Sequence, residues 1–137
     1  MAADATKIFS GPATKVEISS DGSTWTDLGY SKADVKIGWE PDGIELMDGN
    51  KFQSSGLGTI EIPLVQTNAS QITTLKTYRT TKAYLRITAV DTNTYTVSGV
   101  LLSYKTERGF TAGEPHTIMV TGQRRTLQPD DWCAAPA

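Results

Sequence analysis

The stretch Tyr95-Thr96-Val97-Ser98-Gly99-Val100-Leu101-Leu102-Ser103-Tyr104 decides the fold class. Apolar side chains alternate in it with hydroxyl-bearing ones, the period-two pattern of a strand with one wet face. The phase changes at Gly99. Tyr95 and Val97 share a face before it; Val100, Leu102 and Tyr104 share one after it. A glycine at a phase change predicts a β-bulge, where one extra residue bends the strand.

The same alternation spreads outward from this segment. Upstream, Tyr84–Val90 places Leu85, Ile87 and Ala89 on one face, and Asp91-Thr92-Asn93-Thr94 reads as the connecting turn. Downstream, Glu107-Arg108-Gly109 and Ala112-Gly113-Glu114-Pro115 bracket Phe110, before a last strand carrying Ile118 and Val120. Ile60, Ile62 and Leu64 form another strand, with Pro63 favouring an edge or bend because it lacks an N–H. Near the start, 15–30 reads as a hairpin around Ser20-Asp21-Gly22-Ser23, followed by a third strand with Val35, Ile37 and Trp39. One helix is predicted over about 69–80: Asn68 caps it with Gln71 as reciprocal partner, and Ile72 and Leu75, then Tyr78 or the stem of Arg79, make its apolar stripe.

Residues 40–58 break the pattern. Pro41, Asp42-Gly43, Asp48-Gly49-Asn50 and Ser54-Ser55-Gly56-Leu57-Gly58 are turn chemistry, yet Ile44, Leu46, Met47 and Phe52 sit among them. We read this as a long projecting loop, with Gly43–Met47 and Lys51–Gln53 as the arms of a hairpin. A loop that carries apolar residues needs something to bury them. The expected fold is therefore mainly β: a small antiparallel sandwich or barrel of about eight strands with one short helix. It is a single domain over 1–137, with an N-terminal arm (1–14), the extended loop (40–58) and a C-terminal tail (126–137).

Composition agrees with this reading. Hydrophobic residues are 38% and charged residues 20% of the 137, and 20 Thr and 10 Ser fill the gap. Thr suits half-solvated strands and disfavours a helical bundle. One cysteine (Cys133) and one histidine (His116) leave little for His/Cys metal centres or a His-relay hydrolase, so we expect no cofactor, no metal and no enzyme activity. No apolar run reaches the roughly 20 residues of a membrane helix, and Met1–Lys7 has no secretory character. Charge is uneven: residues 1–58 carry 9 acids and 5 bases, and residues 59–129 carry 4 acids and 8 bases. That asymmetry reads first as ordinary surface scatter, the alternative being a self-complementary chain whose acidic front meets a basic back on a neighbour.

Candidate interface residues follow from exposure without a local burial partner. The apolar set is Ile44, Leu46, Met47, Phe52, Leu57, Phe110 and Trp132. Trp132 belongs to it because its polar, Pro-containing tail offers no strand to hold it. The charged set is Asp42, Glu45, Asp48, Arg124 and Arg125. Trp25 and Trp39 could instead stack on sugars, the alternative being a binding module such as a capsid decoration, a fibre domain or a carbohydrate-binding sandwich.

The organisation resembles bacteriophage tail tube proteins, whose fold is shared with tubes of contractile injection systems and the hemolysin-coregulated protein of type VI secretion. The resemblance rests on Tyr95–Tyr104, then Gly109-Phe110-Thr111-Ala112-Gly113, then His116–Gly122, and spans most of 15–125. It implies a structural virion protein that forms hexameric rings, stacked through the long loop and the termini. DNA would be only transient cargo of the lumen, past a polar, non-basic wall. Other tail proteins would be partners, with no membrane involved, and assembly would take place in the host cytoplasm.

Overall fold

The computed structural model describes residues 12–31, 35–67 and 69–134, the side chains of residues 53 and 54 excepted. The described chain runs β1 (Ala13–Ser19), β2 (Thr26–Gly29), β3 (Lys36–Glu45), β4 (Lys51–Val65), α1 (Ser70–Thr77), β5 (Ala83–Ala89), β6 (Thr94–Glu107), β7 (Thr117–Thr126), α2 (Pro129–Trp132) and β8 (Cys133–Ala134). All ladders are antiparallel, and the path is β2-β1-β5-β6-β7-β4-β3, with β8 beside β6.

Strand β6 makes this path a sandwich. Its first half pairs with β5 (Thr94–Val100) and its second half with β7 (Leu101–Glu107). The change of partner coincides with the bulge: between the Ala83↔Val100 and Leu85↔Val97 pairs, β6 has one residue too many. Gly99 sits there at φ +66°, a conformation that costs an L side chain roughly 1 kcal/mol or more. Arg124 on β7 braces the kink by donating from Nη1 to the Ser98 carbonyl at 2.8 Å. The bend lets one strand serve two packed sheets.

The core lies between them. From one sheet come Val16, Ile18, Leu28, Leu85, Ile87 and Val97; from the other Ile60, Ile62, Leu64, Leu102, Ile118 and Val120, all buried. These are the alternating positions of the sequence pattern. Pro63 is tolerated within β4 because, among the described residues, the β3 register stops at Glu61 and Pro63 stands opposite Met119 of β7. Helix α1 seats Leu75 in the core, with Ile72 and Tyr78 against it. No side-chain cap closes its N-terminus at Ala69, and Asn68 lies outside the described residues. Gln71 does other work: its buried amide donates to the carbonyls of Leu28 (2.9 Å) and Val65 (3.1 Å) and accepts the Thr67 N–H (2.9 Å).

The sheet does not close into a barrel. At one corner the seam is stitched by the Ser31↔Leu64 bridge and by the Val65 N–H donating to Tyr30 O at 2.8 Å. Among the described residues, β3 otherwise pairs only with β4.

Candidate functional site

The region expected as a loop is a long hairpin. Strands β3 and β4 stay in register from Lys36↔Glu61 to Glu45↔Lys51, with one irregularity at Asp42/Gly43. Its glycines mislead a reading for flexibility. A Cβ on Gly56 would overlap the indole of Trp39, and one on Gly58 would overlap that of Trp132. Both glycines are cradles for aromatic rings within a strand, a close approach only glycine permits.

Strand β7 accompanies β4 only as far as Gly56↔Thr126. Beyond that point the hairpin is a two-stranded ribbon whose described residues, the half-buried Ser55 apart, are exposed. Its turn is built locally: Leu46 N–H donates to Asn50 O (2.7 Å) and Gly49 N–H to Leu46 O (2.9 Å), with Gly49 at φ +87°. The Asp48 carboxylate accepts from the backbone N–H (3.1 Å) and the side-chain amide (2.9 Å) of Asn50, and these bonds hold its pKa below the ordinary carboxylate value. On this shaped tip Ile44 stands opposite Phe52, both well exposed, and Met47 is wholly so. Leu46 is 46% exposed.

The hairpin thus brings together Ile44, Leu46, Met47 and Phe52 of the apolar set. Leu57 lies lower, half-buried on the outer face of β4, and Phe110 lies at the opposite end of the sheet. There its ring meets His116 edge-on at 5.0 Å, in the loop between β6 and β7. Trp132 is corrected: it is fully buried in its own chain, not offered to a neighbour. Helix α2, started by Pro129, turns the tail inward and lays the indole on Gly58.

The charged set is likewise used at home. Asp42 and Arg125 form an ion pair across the hairpin base. Arg124 braces the β6 bulge and Asp48 closes the tip. Glu45 stands opposite Lys51, an opposite-charge cross-strand pair.

The outer face of the β3-β4-β7-β6 sheet is polar. Thr59, Glu61, Ser103, Thr121 and Gln123 line a shallow depression there with Leu101. Along its outward positions Lys36, Lys105 and Arg125 stand against Glu40, Asp42, Glu61 and Glu107, so the face carries no excess of cations. On the other sheet, Arg86 grips Glu17 with two bonds of 3.0 and 2.8 Å and lies 4.6 Å over the Trp25 ring. The Arg86 hydrogen bonds hold the Glu17 pKa below its usual 4.5, against a smaller opposing effect of burial. Trp25 is therefore occupied by a cation, and Trp39 faces inward, donating to Thr126 Oγ1 at 2.8 Å. The tryptophans form no shared sugar-stacking face.

No protein-family model and no curated protein matches the sequence. Among solved structures the chain is similar to one from the anti-feeding prophage cap, described as the AFP tube terminating cap. Identity is 13%, the TM-score is 0.41, and the match covers 92% of this chain and 95% of that one. No helix of the described residues is long and apolar enough to cross a membrane.

Proposed function

We propose that the protein is a non-enzymatic structural subunit of a phage-type tail, a tube protein whose copies form hexameric rings and stack. The observation that carries this reading is the hairpin tip. Its turn is locked by its own hydrogen bonds, yet it holds Ile44, Met47 and Phe52 out in solvent. A rigid element presenting a cluster of exposed apolar side chains marks an interface. The sequence resemblance to tail tube proteins names the assembly in which such a hairpin would be buried. Polar and without an excess of cations, the outer face of the β3-β4-β7-β6 sheet suits a channel wall, since excess cations would hold DNA phosphates in passage. Other tail proteins would then cap or initiate the tube, within a virion assembled in the host cytoplasm.

Electron microscopy of the purified protein tests this, alone and with a tail initiator complex. The wild type should give rings or tubes. A variant carrying Ile44→Thr, Met47→Ser and Phe52→Thr keeps strand-compatible residues in the arms and should give single subunits. Unchanged assembly by the variant would remove the hairpin from the interface; a wild type that stays dispersed with the initiator present would remove the tube.

A further inference from the structure

Strand β4 has glycine at two successive inward positions, and an indole covers each of them. Trp132 of the tail lies on Gly58; Trp39 of β3 lies on Gly56. In the ladder Trp39 stands opposite Gly58, and Gly56 opposite Pro41, so the Trp39 ring leans diagonally towards the hairpin tip. It reaches right across β4. Its indole N–H donates to Thr126 Oγ1 at 2.8 Å, and Thr126 is the β7 residue paired with Gly56. The Thr126 side chain is buried, and its hydroxyl donates in turn to the Gln128 carbonyl at 2.9 Å. Both functions of the hydroxyl, donor and acceptor, are thus in use. Gln128 leads directly into Pro129, the first residue of α2. One side chain therefore ties β3 to β7 and, through a hydroxyl, to the start of the tail helix.

The level of this tie in the sheet gives it a consequence for the tip. Gly56↔Thr126 is the last β4–β7 pair among the described residues, so the ribbon leaves the sheet where the tie sits. Just beyond it the β3–β4 register shifts between Asp42 and Gly43, and such irregularities bend and twist a ribbon. The Asp42–Arg125 ion pair spans the same level, but both side chains are half-exposed, and a surface pair restrains little. The buried Trp39–Thr126 bond is the stronger restraint, since breaking it leaves a donor without its acceptor. An arm of about 17 Å runs from Gly56 to Lys51, so a swing of about 15° at its root moves the tip by about 4 Å, the whole reach of an apolar contact. We propose that Trp39 and Thr126 are the positioning residues of the tip. Their bond sets the angle at which the ribbon leaves the sheet, and Gln128 couples that angle to the seating of α2. The clamp is a property of the single subunit; its effect on assembly rests on the tip being the stacking surface.

Pulsed dipolar EPR on dispersed full-length subunits measures the spread of tip positions. Nitroxides are placed at Met47→Cys on the tip and Ser103→Cys on β6, with the chain's single cysteine removed by Cys133→Ser. Thr126→Val keeps the side-chain volume and loses the hydroxyl; Thr126→Ser keeps the hydroxyl. The distance distribution should be narrow in the parent and in Thr126→Ser, and at least twice as wide in Thr126→Val. Trp39→Phe, which keeps an aromatic ring and loses the N–H, should widen it as well. Equal widths in the parent, Thr126→Val and Trp39→Phe overturn the proposal. So does equal widening between Ser103→Cys and Thr26→Cys across the sandwich, since that is general loosening. Assembly is read on the unlabelled chain: Thr126→Val should need at least a tenfold higher concentration than the wild type, and Thr126→Ser should not. An unchanged requirement overturns the link from clamp to assembly. A wild type that stays dispersed removes the tube reading, while the distance measurement still decides the clamp.

Discussion

At the residue scale, one glycine and one glutamate carry more than their types suggest. Gly58 lies directly beneath the Trp132 indole, and a Cβ there meets the ring itself. Gly58→Ala forces the ring or the strand to shift, a form of overpacking that costs about 1–3 kcal/mol. Urea unfolding followed by tryptophan fluorescence should show that loss; an unmoved midpoint would mean that the indole does not rest there. Glu17 makes a pH prediction. Its pKa is depressed in the folded protein, so its contribution is present above the unfolded pKa near 4.5 and lost as pH falls through the folded value. Glu17→Gln should therefore lower stability at neutral pH by about 1–3 kcal/mol, and the gap to wild type should narrow in acid. A gap that stays constant from pH 7 to pH 3 would contradict the Arg86 pairing. Trp132 shows where residue-level reading of the sequence fails. Its partner is a missing Cβ more than seventy positions away, and nothing local to the tail announces that.

At the scale of elements, legibility followed the range of the physics. The β6 bulge was readable because a phase change and a glycine coincide within one strand, and the structure puts Gly99 there with positive φ. Gly99→Ala should cost roughly 1 kcal/mol for the backbone conformation alone. It also brings a Cβ within 3.1 Å of the Arg124 guanidinium that braces the bend. Thermal unfolding measures it, and an unchanged midpoint would mean that the bulge can relax elsewhere. Helix α1 was readable from its stripe, but not the bonds of Gln71 to β2 and β4, since those partners are set by tertiary placement. The hairpin was half readable. A hairpin with one arm at Lys51–Gln53 was expected, but the other arm ends at Glu45, with Leu46 and Met47 in the turn, and the length was missed because Gly56 and Gly58 looked like flexibility rather than room for indoles.

For the whole molecule, the low apolar content is accounted for by geometry. A sandwich with one polar outer face needs apolar residues at alternate positions only, and Thr and Ser fill the remainder. What the fold does not absorb is the cluster at the hairpin tip. The charged residues first considered for the interface are largely spent within the chain, so apolar contact is left to drive association. Tip substitutions should then leave subunit stability within about 0.5 kcal/mol, as surface changes do, while abolishing assembly. Sedimentation velocity on the wild type and on Ile44→Thr/Phe52→Thr, each with its melting curve, measures both quantities. The account predicts a large, concentration-dependent species for the wild type and a folded monomer with the same melting temperature for the variant. Identical sedimentation of the two proteins would contradict it.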